Sequence, residues 1–394
     1  MECQRYTCTV LFDISLLSTG IRQFGIGRYI VDLATSLEGQ SGVRLLFLES
    51  AGYTRPPVIT EDAAEAIANY FTPHRPYTDH KSWAYSFRLS AGRAVRYCAA
   101  DVFHVPHSYA TPLGDCGVKR IRTCHDLIPL RYPEHYTNWK VGFAWGRRQL
   151  DRRRYRWADH IVATSEATAS DLTELLDIDR GKISVVHNGI DSARWLPHEE
   201  EGDLALLQSL GVAPRRYLVY VGSADWRKNH QGMLQALSIL RHDYPDLKLV
   251  SVGRTSEHQR LRLKRLSREA RVEDRLVLTG YLDDGVLNRL YRHALAALYV
   301  SYIEGFGLPI VEAMASGCAV ITSDRSSMKE VADGAASLVP PDDATAIAAA
   351  IRDLAENSAL RQDLGRLGRA RAANFDRQRQ AEQILDLYRF LTDG

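Results

Sequence analysis

Two glutamates separated by seven residues, Glu304 and Glu312, lie in the segment of this sequence that points most directly to chemistry. Two glycines and Pro309 lie between them. This composition favours a tight turn from a strand into a helix, because glycine tolerates positive φ and proline suits a first helical position. The turn from Phe306 to Leu308 would then present free amides at the positive end of a helix dipole. The segment therefore predicts a phosphate-binding site with Glu304 in the loop and Glu312 on the first helical turn.

Because like charges repel, the two carboxylates cannot hold a phosphate themselves, but they can accept hydrogen bonds from sugar hydroxyls on either side of it. A nucleotide sugar has this layout, with a sugar, a diphosphate and a ribose in sequence. We therefore expect the amides around Gly307 to face the diphosphate. We expect Glu304 and Glu312 to accept hydrogen bonds from sugar hydroxyls on either side of that diphosphate.

A pair of cations, Arg227 and Lys228, follows the predicted strand Tyr217–Val221 and precedes another helix. Arginine offers a forked donor and lysine a point charge, so together they suit a diphosphate. Fixed cations also stabilise a departing nucleoside diphosphate, whose charge grows as the glycosidic bond breaks. Because the two cations can take the role that a metal ion would otherwise fill, we expect no metal. Asp283 and Asp284 have the side chains of metal ligands, but their position at the start of a helix indicates an N-cap.

Two further groups follow predicted strands in the first half of the chain. Gly25 and Gly27 come after the first strand, but a dinucleotide-binding fingerprint would require a third glycine where Ile30 stands. The sequence thus argues against a dehydrogenase, and the glycines leave open a close approach to a ligand or a flexible connection into a helix. His125 follows the predicted strand Arg120–Cys124, where it either contacts a ligand or is a satisfied core residue.

Alternating strands and helices must position these residues, and their order predicts an α/β protein with two parallel, doubly wound sheets. Helical patterns such as 229–241 and 257–269 separate most of the strands. Ligands of such sheets bind beyond the carboxyl ends of the strands, so we expect the site in a cleft between two domains. The predicted strands are 8–14, 43–48, 102–105, 120–124, 160–163, 183–186, 217–221, 247–252, 276–278, 295–300, 319–321 and 337–339.

A chain of 394 residues is long enough for two domains, each with its own core. The polar, acidic stretch from Ser192 to Asp203 predicts the boundary between them. Residues 52–80 carry four prolines around one short helical pattern, Glu61 to Tyr70. We interpret this region as loops over the cleft.

Composition restricts the class of protein and its compartment. With 45% hydrophobic and 25% charged residues and a net charge of +2, the chain predicts an ordinary globular protein without a bulk attraction to nucleic acid. Its six cysteines form no C-x-x-C pair, which indicates a reducing compartment and no structural metal. Asp13 interrupts the first apolar run, so no signal peptide is expected, and no run reaches the roughly 18 apolar residues of a membrane span. We expect a cytoplasmic protein, at most peripheral on the inner face of the plasma membrane.

The pattern E-G-F-G-L-P-x-x-E-A-M-A-x-G, from Glu304 to Gly317, closely resembles the donor-site motif of glycosyltransferase family 4. Arg227 and Lys228 match the family's G-x-x-x-x-R-K pattern. The resemblance covers nearly the whole chain and implies a retaining glycosyltransferase. It also implies the GT-B fold, in which two Rossmann-like domains face a central cleft.

The same resemblance implies functions for the first domain. Gly25 and Gly27 would let the backbone approach the diphosphate and the acceptor, and His125 would contact the transferred sugar. No cofactor is implied other than the donor substrate itself. The implied domains are an acceptor-side domain at 1–195, a nucleotide-sugar donor domain at 196–375 and a final helix at 376–394 that crosses back to the first domain.

Within the family, the segment from His125 to Pro133 looks most like bacterial polysaccharide mannosyl- and rhamnosyltransferases that use GDP-sugars. This implies transfer of mannose or a related hexose from GDP-mannose to a hydroxyl of a glycan or lipid-linked glycan. No residue distinguishes guanine from uracil, so a UDP-sugar-dependent enzyme of the same fold stays open, as does a nucleotide-sugar epimerase. A membrane or nucleic-acid binding module is the non-enzymatic alternative, but it leaves the two glutamates unexplained.

The stretch from Lys140 to Arg156 carries seven lysines or arginines and one acid, with aromatic residues interspersed. Much of it is predicted to be helical, with Trp139 and Phe143 on one face. A basic, aromatic helix suits an anionic membrane surface, and a lipid-linked acceptor would give it a purpose. The alternative is that the aromatic residues pack into the first domain while the arginines cover its exterior.

Overall fold

Two compact units make up the chain. The structure, a computed structural model, describes residues 8–23, 25–38, 40, 42–50, 58–71, 78–112, 116–136, 141–196 and 201–393. The first unit comprises Met1–Gly189 with Arg377–Gly394, and the second comprises Ile190–Asp376. Each is built on a sheet whose strands alternate along the chain with helices. The prediction of two Rossmann-like α/β domains is therefore confirmed.

In the described part of the first unit, seven strands form a sheet in the order β3-β2-β1-β4-β5-β6-β7. Neighbouring strands are parallel, except that β3 pairs antiparallel with β2. The expectation of a wholly parallel sheet and of a loop at Val58–Thr60 is therefore wrong. Three residues whose conformation depends on pairing with β2 carry little local signal. The strands are β1 (Cys8–Asp13), β2 (Val43–Ser50), β3 (Val58–Thr60), β4 (Val102–Val105), β5 (Lys119–Cys124), β6 (His160–Ala163) and β7 (Ile183–Val185).

The core of the first unit lies along its central strands. Val10, Leu11 and Phe12 of β1 are all fully buried, as are Val102 and Phe103 of β4. Such unbroken apolar runs are typical of parallel strands that are covered on both faces, which is why the sequence predicts these strands clearly. The helices before the second unit are α1 (Gly25–Leu37), α2 (Ala63–Phe71), α3 (His80–Tyr97), α4 (Ile128–Arg131), α5 (Val141–Arg156) and α6 (Glu166–Leu176).

The sheet of the second unit is parallel throughout, with the order β10-β9-β8-β11-β12-β13. Strands that are consecutive in the chain extend the sheet from β8 in one direction and from β11 in the other. The loops after β8 and β11 therefore leave the sheet side by side, at the switch point where such sheets bind ligands. The strands are β8 (Tyr217–Val221), β9 (Lys248–Val252), β10 (Leu276–Gly280), β11 (Ala296–Tyr299), β12 (Val320–Ser323) and β13 (Ser337–Val339).

One helix of the second unit begins with the N-cap that its sequence predicts. The carboxylate of Asp283 accepts a hydrogen bond from the amide of Val286 at 2.9 Å and so caps the helix that begins at Asp284. This confirms an N-cap at Asp283 and Asp284. The helices are α7 (Asp203–Ser209), α8 (His230–Ile239), α9 (Glu257–Glu269), α10 (Asp284–His293), α11 (Leu308–Ala315), α12 (Ser326–Ala332), α13 (Ala344–Glu356) and α14 (Ser358–Ala372).

The last helix, α15 (Arg377–Asp393), belongs to the first unit, where Tyr388 is fully buried. The division between the units falls at Gly189, before the acidic stretch in which the sequence predicts it. The reason is Trp195, which is fully buried in the core of the second unit and draws the preceding turn into that unit. Residues 197–200, which include Pro197 and two of the glutamates, lie outside the described part of the chain.

A membrane crossing would need a longer and more apolar helix than any among the described residues.

Candidate active site

The loops after β8 and β11 bring together three of the predicted site residues. Nζ of Lys228 lies 2.6 Å from Oε1 of Glu304, and Nη1 of Arg227 lies 2.9 Å from the other carboxylate oxygen. Lys228 also donates a hydrogen bond of 2.6 Å to the hydroxyl of Tyr299, the last residue of β11. The predicted cation pair and the loop glutamate therefore form one cluster, which we call the Glu304 cluster.

Burial and charge together determine the ionisation of this cluster. Lys228 and Glu304 are only 7% and 6% exposed. Burial alone would raise the pKa of Glu304, but Lys228 and Arg227 outweigh it and lower the pKa to about 2. Burial lowers the pKa of the Lys228 ammonium, and Glu304 opposes that effect. Arg227 also lies 3.6 Å from a carboxylate oxygen of Asp225, so the two cations face two carboxylates.

Local hydrogen bonds fix the loop after β8. The side chain of Asp225 accepts from the amide of Arg227 at 3.2 Å, at the start of the 3₁₀ turn Trp226–Lys228. Asn229 then adopts a left-handed conformation, with φ of 55°, and its side chain caps α8 by accepting from the amide of Gly232 at 3.0 Å. The same side chain donates to the carbonyl of Val300 at 3.0 Å. This amide therefore ties the cation loop to the end of β11.

Packing and hydrogen bonds fix the second loop, from Glu304 to Gly307. Phe306 is buried against Phe375, with 5.6 Å between ring centres. Gly307 has φ of +110°, a conformation that favours glycine, and α11 begins directly after it. The hydroxyl of Ser327 donates to the carbonyls of Glu304 and Phe306, each at 2.9 Å. The loop backbone is therefore fixed at both of these carbonyls.

Two details of α11 differ from the expectation. The helix begins at Leu308, so Pro309 is its second residue and Glu312 its fifth, on the second turn rather than the first. Proline still fits, because its missing N–H has no partner within the first turn. Glu312 is buried, at 4% exposure. It therefore lies on the same helix as the predicted phosphate-facing amides, one turn further on.

The remaining predicted residues belong to the first unit. Gly25 is the first residue of α1, and Gly27 lies two residues further along the same helix. A Cβ on Gly27 would lie 2.5 Å from the Cα of Arg22, so the preceding turn packs directly on this glycine. Close packing within the chain is thus one reason for Gly27, in addition to the ligand approach that the sequence suggests.

His125 follows β5 and is half-buried. Its Nε2 donates to the carbonyl of Pro106 at 3.0 Å, and its ring meets that of Tyr29 on α1 edge to face, with 4.7 Å between centres. Burial lowers the pKa of His125, although the Pro106 carbonyl and Asp126 act in the opposite direction. Its own carbonyl accepts from the hydroxyl of Thr164 at 3.1 Å. The first unit therefore brings His125 close to the helix that Gly25 and Gly27 begin.

Sequence reasoning missed several residues that shape the site. Tyr299 ends a strand in which every residue is buried, so nothing in the sequence separates it from the core. Ser327 contacts the Glu304 loop from beyond the next strand, a long-range contact without a local signal. Asn229 could have been predicted from the sequence, because an asparagine before a helix is a common cap. Among the described residues, no group of three His, Cys, Asp or Glu could hold a metal ion.

The described part of the basic stretch packs largely against its own unit. Arg154 is buried and pairs with Asp151 at 2.8 Å, and Arg152 pairs with Asp177. Tyr155 is fully buried, as the packing alternative expects of an aromatic residue in this stretch. The predictions for Trp139 and Lys140, and for the side chain of Phe143, fall outside the described residues.

Two family models match consecutive parts of the chain. The model described as Glycosyltransferase Family 4 matches residues 25–194, and the one described as Glycosyl transferases group 1 matches residues 208–371. The first covers most of the first unit, including His125. The second contains the whole Glu304 cluster and α11.

Similar proteins agree on glycosyl transfer and differ in the sugar. The chain is 28% identical to the O-antigen chain mannosyltransferase B of Escherichia coli over 385 residues, 93% of this chain and 96% of that protein. It is 31% identical to the glycogen synthase of Mycobacterium tuberculosis over 236 residues, 59% of this chain and 54% of that protein. The crystal structure of HepE from Anabaena in complex with UDP and glucose superposes with a TM-score of 0.73 and 17% identity, and covers 98% of this chain and all of that chain. At that identity the superposition supports the GT-B class of fold alone.

Replacing Gly27 and Gly25 by alanine separates packing from helix propensity. In Gly27→Ala the new methyl group would meet main-chain atoms of Arg22 at 2.5–2.7 Å, so we expect a loss of about 1–3 kcal/mol in the free energy of unfolding. In Gly25→Ala no atom lies within 4 Å of the new Cβ, and alanine favours the helix. Urea unfolding of both variants checks this. Equal stabilities would contradict the close contact at Gly27.

The Glu304 cluster predicts a specific dependence of stability on pH. Because the folded pKa of Glu304 lies at about 2, below its ordinary value of 4.5, its stabilisation is present above pH 4.5 and is lost as the pH falls towards 2. That shift corresponds to about 3 kcal/mol. Urea unfolding between pH 2 and 7 should show this slope in the parent and a flatter slope in Glu304→Gln. An unchanged slope in the variant would contradict the burial of an ionised Glu304.

Proposed function

The chain belongs to glycosyltransferase family 4, and on that basis we propose that it transfers mannose from GDP-mannose to a hydroxyl of a glycan or lipid-linked glycan. The transfer proceeds with retention of the anomeric configuration and without a metal ion. Glu304, Arg227 and Lys228 act on the donor, together with Glu312 and the amides of Phe306, Gly307 and Leu308.

The Glu304 cluster carries this proposal. Lys228 uses two of its three N–H donors on Glu304 and Tyr299, so a third is available to a phosphate oxygen. Arg227 and Lys228 pair with Glu304, whose loop leads into α11, and the amides and dipole at the start of that helix favour the same anion. These groups are fixed by the two loops before any ligand binds, so they need little reorganisation as charge develops on the leaving diphosphate.

Glu304 has a second task in this proposal. Besides accepting a hydroxyl of the transferred sugar, it keeps the buried Lys228 paired in the absence of donor and also pairs with the partly exposed Arg227. Glu312 accepts hydroxyls of the ribose. His125 contacts the transferred sugar.

Mannose is supported by a relative that matches the chain over nearly its full length, which is an O-antigen chain mannosyltransferase. The glycogen synthase matches a shorter part, and the segment from His125 to Pro133 resembles GDP-sugar-dependent enzymes. The alternatives are a UDP-sugar donor on the same site and epimerisation of the nucleotide sugar, which needs no acceptor.

A donor and acceptor screen tests the proposal. The protein is incubated with GDP-mannose, GDP-rhamnose, UDP-glucose or UDP-galactose, each with and without mannose-containing oligosaccharides. We expect release of GDP from GDP-mannose that depends on acceptor, survives excess EDTA and gives an axial, α-configured product by NMR. Conversion of the sugar without acceptor would indicate an epimerase, activity restricted to UDP-sugars would contradict the donor, and loss of activity in EDTA restored by magnesium would contradict the metal-free mechanism.

Arg227 should matter more for the transition state than for the ground state, because the charge on the leaving group grows during bond cleavage. We expect Arg227→Ala to lower kcat by about 10²–10³-fold, comparable with the loss of one preorganised donor, with a small change in KM for the donor. Arg216→Ala, at the opposite end of β8, is the control and should keep the parental kcat. Equal kcat in both variants would contradict a role for Arg227 in the reaction.

Peripheral contact with an anionic membrane through α5 is a further part of the proposal. Arg153 and Arg156 remain exposed on this helix, and Leu150 is 39% exposed beside them. Each exposed cation near an anionic surface contributes about 1 kcal/mol. We expect sedimentation with phosphatidylglycerol vesicles at low salt and weaker binding by Arg153→Gln/Arg156→Gln. Parental binding by this variant, or a weaker binding only in the α3 control Arg88→Gln/Arg96→Gln, would contradict a contact through α5.

A further inference from the structure

A series of buried polar contacts runs through the first unit from α15 to His125. The hydroxyl of Tyr388 lies 2.7 Å from Nδ1 of His104 on β4. Nε2 of His104 lies 3.0 Å from Oγ1 of Thr123 on β5, and that oxygen lies 3.2 Å from the hydroxyl of Tyr29 on α1. The ring of Tyr29 meets the ring of His125 edge to face. The last helix of the chain is thus connected to a residue of the proposed active site.

Every member of this series before His125 is buried, so water cannot substitute for a missing partner. Burial lowers the pKa of His104 to about 3, which keeps its ring neutral at ordinary pH. A neutral imidazole has one donor nitrogen and one acceptor nitrogen. Of its two partners, Tyr388 and Thr123, one must therefore donate to the ring and the other must accept from it. Each hydrogen bond restricts the orientation of the next.

The series ends at Thr123 and Tyr29, which both lie next to His125. Thr123 is the residue before the last one of β5, and His125 directly follows that strand. Tyr29 supports the imidazole ring, while the carbonyl of Pro106 accepts from its Nε2. A shift of Thr123 or of the Tyr29 ring would therefore displace His125 itself.

We propose that Tyr388 is a positioning residue, through which the C-terminal helix α15 orients His125 for glycosyl transfer. The inference rests on the proposed function, in which His125 contacts the transferred sugar. Apolar neighbours on α15, such as Ile384 and Leu385, are buried in the core of the first unit. The hydroxyl of Tyr388 adds hydrogen bonding without adding to that apolar contact, which is why its removal tests orientation rather than packing.

The first experiment compares Tyr388→Phe with Tyr70→Phe. Tyr70 on α2 is a matched control, because it is equally buried in the same unit and its hydroxyl donates to the carbonyl of Glu49. Both variants lose one buried hydrogen bond, so we expect similar losses in melting temperature. We expect kcat to fall about tenfold or more in Tyr388→Phe alone, with KM for the donor unchanged within about twofold, because misplacing a group costs mainly turnover.

The second experiment reads His125 directly and needs neither donor nor acceptor. The ¹H–¹³C resonance of the His125 ring is identified by its loss in His125→Asn. We expect this resonance to shift in Tyr388→Phe and to stay in place in Tyr70→Phe. A resonance that stays in place in both variants, or a parental kcat in Tyr388→Phe, would overturn the positioning role while leaving glycosyl transfer intact. Full activity of His125→Asn would instead overturn the role of His125 in the proposed function.

A second pair of variants keeps the inference testable if Tyr388→Phe does not fold. Thr123→Val removes the central hydroxyl at nearly constant volume, and Thr123→Ser retains it. We expect the shift of the His125 resonance in Thr123→Val and a much smaller shift in Thr123→Ser. Equal shifts in the two variants would show that volume rather than hydrogen bonding matters, and would overturn the inference.

Discussion

The candidate site of the second unit depends on one interaction. The buried carboxylate of Glu304 lies between Lys228 and Arg227 and pairs with both. Burying Lys228 or Glu304 alone would be strongly unfavourable, so each requires the other, while the partly exposed Arg227 pairs with both Glu304 and Asp225. Arg227 and Lys228 come from the loop after β8, and Glu304 comes from the loop after β11. The charge pairing therefore fixes the two loops against each other at the switch point of the sheet, where the fold exposes strand ends to a ligand.

Backbone conformations around this cluster are unusual and are stabilised by specific hydrogen bonds. Asn229 and Ser326 both have positive φ without being glycine, and Gly307 has positive φ before α11. Asn229 offsets this cost by capping α8 and donating to Val300, and Ser326 donates to the carbonyl of Glu304 at 2.8 Å. Strained residues persist where the surroundings hold them, and such places are often functional. Groups held in this way are ready for a developing charge, which is what the proposed transfer requires.

Much of the fold could be read from the sequence, because buried parallel strands are continuous apolar runs. Each predicted strand corresponds to an observed one within about two residues, and Asp283 caps α10 as its position indicates. The exceptions depend on long-range contacts. β3 exists only through pairing with β2, and the first unit ends at Gly189 because Trp195 packs into the second core.

The candidate site, too, could be predicted where the signal is local and not where it depends on long-range contacts. Spacing and residue type predict Arg227, Lys228 and Glu304 as candidate site residues, but not that the glutamate pairs with both cations, since those contacts join residues far apart in sequence. The sequence suggests that Gly27 lets a ligand approach, whereas the structure shows that its missing side chain also makes room for the backbone of Arg22. The hydrogen bond between Tyr388 and His104 joins residues 284 positions apart in the chain and leaves no trace in local patterns.

The central claim is that the Glu304 cluster binds the diphosphate of a nucleotide sugar. Calorimetric titration with GDP and GMP tests it most directly, because the two ligands differ only by the phosphate that the cations would contact. Lys228→Met removes one charge at similar side-chain length. The account predicts that the parent binds GDP at least about tenfold more tightly than GMP, which corresponds to about 1.4 kcal/mol, and that this preference collapses in Lys228→Met. A preference for GDP that persists undiminished in the variant would contradict it.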